Sequence, residues 1–245
     1  MRLWRKLAAA LFLFAGAALA LALACAALSS PSPRPPAGRA ECASDPAQSS
    51  IKLPLPSHSG PAVEAAIKSR RSIRSYSPES LSLQELSELL FAAQGVTGGE
   101  GFRAAPSAGA LYPLTLYVQP NRVEGASCGI YRYEPSTHSL ELAREGDYSA
   151  AVSEAAYSQQ SATEAAAVIV FAADFSAMEA KYGARAEDFV LTEAGHASEN
   201  LLLEAVSLGL GAVPLGYINQ AAFNELLLLG PTERAIYVNC VGRLP

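Results

Sequence analysis

Four strand-like segments between residues 114 and 175 constrain the fold of this chain more than any other feature. Alternation in "LTLYVQ" marks the first, and "CGIYRYE" and "SLELARE" supply two more, separated by turn residues. The fourth, "AAAVIVFAADF", is a nearly continuous apolar run and reads as a central strand. Strand runs that follow one another directly do not suit the regular β-then-α order of a doubly wound sheet. The class is therefore α+β.

Helical signals flank this run. Ser59-Gly60-Pro61 opens a short helix that continues through Ser69. Ser82 and Glu85 form a capping box at the head of "SLQELSELLFAAQG", whose apolar positions are Leu83, Leu86, Leu89, Leu90 and Ala93, and Gly95 closes it. A long helix is expected from about Asp188 to Leu208, and "AVPLGY" and "RAIYVNCVG" give the last strands with a short helix between them. Residues 61–245 thus make one domain of ordinary size. Half of the chain is hydrophobic and its net charge is −5, which suits a folded protein and excludes broad attraction to nucleic acid.

The N-terminus differs in kind. "MRLWRK" carries three positive charges, and residues 7–28 carry none. As a helix those residues would measure about 33 Å, enough for a bilayer core of about 30 Å. Residues 1–28 read as a signal peptide or membrane anchor. Residues 29–60, rich in Pro, Ser and Ala, read as a linker. A cleaved signal ending at Ala24, a lipid anchor on Cys25 and an uncleaved anchor all remain open. The positive flank places the domain outside, at a bacterial periplasm or cell-envelope face. The spacing of Cys25, Cys42, Cys128 and Cys240 supports no zinc site, and no other metal site is expected. Cys128 and Cys240 lie in or beside apolar strand patterns and read as buried free thiols, although an oxidising compartment would allow them to pair.

Several short motifs bear on chemistry. "RRSIRSY", residues 70–76, concentrates Arg70, Arg71 and Arg74 around Ser72 in a chain with only 18 Lys and Arg. Such a cluster either complements the end of a helix or grips an anion such as phosphate, for which guanidinium geometry is suited. "APSAGALYP", residues 105–113, lacks bulk and would let a flat ligand approach the main chain. "GLGAVPLG" follows a helix and precedes a strand, the reverse of the dinucleotide fingerprint, so its glycines read as a helix stop and a close backbone approach. Lys181 and Tyr182 in "KYG" are either surface residues or a proton-transferring pair, the latter if burial lowers the lysine's proton affinity. His196 sits among small residues mid-helix and reads as a packing histidine.

Taken in order, "RRSIRSY", "LSLQELSELLFAAQG", "APSAGALYPLTLYV", "GIYRYEP", "KYG", "EAGHASENLLLEAVSLGLGAVPLG" and the closing "VGR" resemble the nitroreductase family of flavin enzymes, and most of all its SagB-type dehydrogenase branch. The resemblance covers roughly residues 61–243. It implies a mixed β-sheet flanked by helices and an intertwined homodimer with FMN at the subunit interface. By the same resemblance Arg70, Arg71, Ser72 and Arg74 would hold the FMN phosphate, assisted by Arg243. Ser107, Ala108, Gly109 and Leu111 would line the isoalloxazine, and main-chain groups of Leu215 and Gly216 would lie near its reactive nitrogen. Lys181 and Tyr182 match the pair that removes a proton while FMN takes hydride from a peptide thiazoline or oxazoline.

The expected activity is FMN-dependent two-electron transfer with a small organic or peptide-azoline substrate, and NAD(P)H or another electron partner completes the cycle. A membrane-tethered flavin- or ligand-binding protein without turnover is the alternative.

Overall fold

The computed structural model describes residues 48–57 and 59–245, so the apolar run 7–28 and most of the expected linker lie outside the described residues. The elements are β1 (Ser50–Lys52), α1 (Val63–Ser69), α2 (Leu83–Gln94), β2 (Leu114–Pro120), β3 (Gly129–Glu134), β4 (Ser139–Glu145), α3 (Ser149–Ala155), α4 (Gln160–Glu164), β5 (Ala167–Asp174), α5 (Ser176–Tyr182), α6 (Ala186–Ser207), β6 (Leu210–Leu215), α7 (Gln220–Leu226) and β7 (Glu233–Arg243). The strands form one seven-stranded sheet in the order β1-β4-β3-β2-β5-β7-β6. Each of its ladders is antiparallel. The mixed character expected of the sheet is confined to isolated parallel bridges, Ser72 to Ala212 and Leu81 to Val123. Short turns join β2, β3 and β4, and such turns can link only antiparallel neighbours.

β5 lies between β2 and β7, as its apolar run requires. Ile169, Phe171 and Ala173 enter the core that α2 and α6 cover with Leu86, Leu89, Leu90, Val190 and Leu201. Val168, Val170 and Ala172 enter the opposite core with Val152, Phe223 and Leu227. Both faces are buried, so no polar residue interrupts the strand before Asp174. Each such side chain contributes about 1.5–3 kcal/mol by leaving water. Helix α2 begins with both arms of the expected capping box: Ser82 Oγ accepts from Glu85 N–H, and Ser82 N–H donates to Glu85.

Strand β1 lies within the stretch expected to be linker. Ile51 and Leu53 are buried, and β1 pairs with β4. Three residues are too few for alternation to register against a Pro- and Ser-rich background. A buried histidine fastens this stretch to the domain. His138 Nδ1 and the Tyr133 hydroxyl are 2.8 Å apart, while Nε2 lies 2.8 Å from Ser87 Oγ and 3.1 Å from Pro54 O. His138 therefore takes the packing role expected of His196, which is exposed on α6. Mid-helix small residues gave no clue to which face His196 would occupy. Of the two thiols expected to be free and buried, Cys128 departs from expectation and Cys240 does not. Cys128 is disulfide-bonded, whereas Cys240 is free and buried, with its thiol pushed up to about 12 by desolvation. Gln48 N–H donates to Ser127 Oγ at 3.4 Å, so the chain before β1 passes close to Cys128, a neighbour that strand patterns cannot reveal.

Candidate functional site

The arginine segment leaves α1 in extended form and runs along β6. Ile73 N–H donates to Ala212 O at 3.0 Å. Gly211 makes this approach possible, because a Cβ there would stand 2.8 Å from Ile73 Cγ2. This is the close backbone contact expected of "GLGAVPLG". Tyr76 pins the segment from beneath, its hydroxyl 2.8 Å from Ile73 O and 2.9 Å from Cys240 O. Burial raises that phenol well above its ordinary range. Tyr76 N–H donates to Glu164, and Ser77 N–H donates to Arg243 O.

With the backbone fixed, the guanidinium groups stay near the surface. Arg71 donates to Lys68 O and Arg70 O, and Arg74 donates to Ser72 O at 3.4 Å. These partners are main-chain carbonyls, which carry no formal charge to offset a guanidinium. Arg70 Nε lies 3.5 Å from the Glu199 carboxylate on α6. A partly exposed pair of this kind is worth about 1 kcal/mol at most, so a well-placed anion can compete for Arg70. Arg243 is committed elsewhere, with bonds of 2.6 and 2.9 Å to Glu85 and 3.2 Å to Ser80 O. It stabilises the head of α2, a task the closing "VGR" did not suggest.

Leu215 ends β6 and is buried, and Gly216, just beyond the strand, is exposed. The Tyr237 ring lies beside Gly216 and within electrostatic reach of Glu199, the carboxylate that meets Arg70. The arginine segment and the end of β6 thus belong to one neighbourhood.

The small-residue loop forms a second. Tyr112 N–H donates to Ser107 Oγ at 2.9 Å, and Ala110 N–H donates to Ser107 O at 3.1 Å. Gly109, Ala110 and Tyr112 have φ of 64°, 54° and 48°, a left-handed path that an L side chain adopts only at a cost. Lys181 and Tyr182, at the end of α5, converge on this loop. A Cβ built on Gly109 would overlap Lys181 Nζ and lie 2.6 Å from the Tyr182 hydroxyl. Lys181 Nζ sits 5.5 Å from the Tyr182 ring centroid, and that ring packs edge-on against Phe189. Lys181 is exposed, so its own chain does not supply the burial expected of a proton-accepting lysine.

Behind the loop lie groups that the motifs did not reveal. Arg103 donates to Gln94 Oε1 at 2.8 Å and stands over the Tyr112 ring at 4.9 Å, and its own burial lowers its proton affinity. Glu193 is 1% exposed, and desolvation pushes its carboxyl up to about 7 against the opposing pull of Ser107 and Arg103. The available signal was an acid on the apolar stripe of a long helix, beside Val190, Ala194 and Ala197. Helix α6 serves both neighbourhoods, since Glu199 meets Arg70 and Asn200 donates to Ala104 O at 3.4 Å. Glu193 and Glu199 are separated by about 120° around the helix at 3.6 residues per turn, so the two neighbourhoods flank different faces of α6.

Residues 67–243 match the family model described as "Nitroreductase family". A provisionally named nitroreductase of Methanocaldococcus jannaschii is 37% identical over 194 residues, which cover 79% of this chain and 97% of that protein. The crystal structure of a provisionally named nitroreductase from Ralstonia eutropha JMP134 superimposes with a TM-score of 0.72 at 32% identity, covering 81% of this chain and 90% of that one. The Escherichia coli microcin synthetase McbBCD complex with truncated pro-MccB17 bound contains a chain of the same fold, with a TM-score of 0.63 at 20% identity, covering 90% of this chain and 86% of that one. With the family model spanning most of the chain and a relative this similar over nearly its whole length, the chain belongs to the nitroreductase family, a family of flavin-using oxidoreductases.

Proposed function

We propose that this chain is an FMN-dependent dehydrogenase of SagB type, acting on a small organic or peptide-azoline substrate. The observation that carries this reading is the convergence of Lys181 and Tyr182 on Gly109, within a loop of small residues. The arginine segment fits the phosphate of FMN, because Arg71 and Arg74 keep positive charge that main-chain carbonyls alone do not neutralise. Arg70, Arg71, Ser72 and Arg74 would hold that phosphate. Ser107, Ala108, Gly109 and Leu111 would bed the ring, and main-chain groups of Leu215 and Gly216 would stabilise charge at its reactive edge. FMN supplies the two-electron chemistry when bound. Lys181 and Tyr182 take a proton from the substrate carbon beside the bond being oxidised, and the loop orients the substrate against them.

Because the two neighbourhoods flank different faces of α6, a second copy of the chain is the natural source of the complementary half. A homodimer would place one copy's arginine segment against its partner's loop and would bury Lys181. The domain is exported or tethered by its N-terminus, a location supported by the disulfide at Cys128, since such bonds persist in oxidising compartments.

The exposure of Lys181 within one chain favours a second reading, a nitro- or quinone-reducing enzyme driven by NAD(P)H that needs no lysine base. Purified protein with FMN bound, assayed against both substrate classes, separates the two. Azoline oxidation that requires Lys181 and Tyr182 supports the first, and NAD(P)H-driven reduction indifferent to both supports the second. Bound FMN that no donor reduces would leave a binding protein without turnover.

A further inference from the structure

Glu193 is an anomaly that this function leaves unused. It occupies the core-facing side of α6 among Val190, Ala194, Ala197 and Leu201. Neither of its carboxyl oxygens has a hydrogen-bond partner among the described residues, and Gln94 Nε2, on α2, lacks one as well. The Ser107 hydroxyl and the Arg103 guanidinium lie on the side of this carboxyl, and both favour its charged form. Arg103 is nevertheless turned toward Gln94 and Leu114 O. Unmatched polar atoms therefore stand directly behind the loop whose Gly109 meets Lys181 and Tyr182. Such atoms are strongly disfavoured unless a second arrangement satisfies them.

We propose that Glu193 is a positioning residue of the Ser107–Leu111 loop, exchanging a proton with water so that the loop tightens on the charged carboxylate and relaxes on the neutral acid. The hydrogen-bond inventory explains how the signal would travel. Ser107 Oγ already accepts from Tyr112 N–H, so its own proton is free to donate. A charged Glu193 accepts that proton in a hydrogen bond and draws Arg103 from Gln94, moving both ends of the segment 103–112. A neutral Glu193 makes neither demand. Arg103 is the charged group from the preceding segment that bears on this carboxyl; α2 presents neutral Gln94, and Tyr112 acts through Arg103. The desolvated carboxyl has its midpoint at about 7, so both states are populated near neutrality.

Only the consequence for catalysis rests on the flavin reading, because the titration itself needs no cofactor. The test is an NMR pH titration of the full-length chain without added FMN, following backbone amides and the Glu193 side-chain carboxyl carbon. The amides of Ser107, Gly109 and Tyr112 should shift together with the Glu193 carboxyl, at a midpoint of about 7. Glu193→Gln should abolish the common step, and His196→Gln, one turn along the same helix, should leave it in place. Ser107→Ala should keep the carboxyl titration while removing it from the Tyr112 amide. Loop amides that stay flat in the wild type, a step that survives Glu193→Gln, or one that disappears with His196 would overturn the proposal. A chain that refuses FMN yet shows the coupled titration would lose the cofactor reading and keep this one. Flat amides in a chain that binds FMN would do the reverse.

Discussion

The two halves of the candidate site are built on opposite principles. The arginine segment has a rigid, hydrogen-bonded backbone and presents charge outward, with Tyr76 and Gly211 fixing its path against the sheet. The Ser107–Leu111 loop presents almost no polar side chain outward, and its charge lies behind it in Arg103 and Glu193. The first half is suited to hold an anion without moving. The second is suited to adjust to a ring and a substrate. Fixed charge gives affinity, and buried charge behind a small-residue loop gives control.

The largest expected effect breaks the second half at its chemistry. Replacing Lys181 by Ala together with Tyr182 by Phe should lower azoline oxidation by about 10²–10⁴-fold, the usual yield of general acid–base catalysis, while bound FMN, read by its absorbance, is retained. Unchanged turnover would remove the pair from the mechanism.

The next prediction sharpens the contrast through pH. Burial raises the Glu193 carboxyl from the ordinary carboxylate value of 4.5 to about 7, so the unfolded chain releases this proton first. The wild type therefore loses stability as pH rises from about 4.5 to about 7 and carries the full penalty above that. Glu193→Gln should be more stable than wild type by roughly 3 kcal/mol at pH 8, and the advantage should vanish near pH 4. Thermal melts at the two pH values check this, and a difference that is the same at both would contradict it.

A smaller effect is expected from Gly109→Ala. It should cost about 1–2 kcal/mol through its left-handed backbone and should also displace Lys181 and Tyr182, so that thermal stability and turnover fall together. Lost stability with intact turnover would separate the loop from the pair.

The contrast between the halves also governs what could be read from sequence. β5 was legible because both of its faces are buried, and α2 because the hydrogen bonds of its cap join residues only three positions apart. The arginine cluster was visible as composition, yet its extended path along β6 depends on Gly211, far away in the chain. Strand β1 escaped notice because three residues carry no period, and α3 and α4 because their Ala- and Ser-rich segments lack a clear apolar stripe. The commitment of Arg243 to Glu85, the bond at Cys128 and the exposure of His196 arise from tertiary neighbours that no local pattern encodes. Glu193 was present as an acid on an apolar stripe, but its significance depends on Ser107 and Arg103 folding over it.

The central claim is that the guanidinium groups following α1 read a phosphate. The direct measurement is the affinity of the purified chain for FMN and for riboflavin, which differs only by that phosphate, in the wild type and in an Arg71→Ala, Arg74→Ala double variant. Wild type should prefer FMN by about 10–100-fold, the worth of one or two charge-assisted hydrogen bonds, and the preference should collapse in the variant while riboflavin binding stays unchanged. Equal affinity for the two flavins in the wild type, or no uptake of either, would contradict the account.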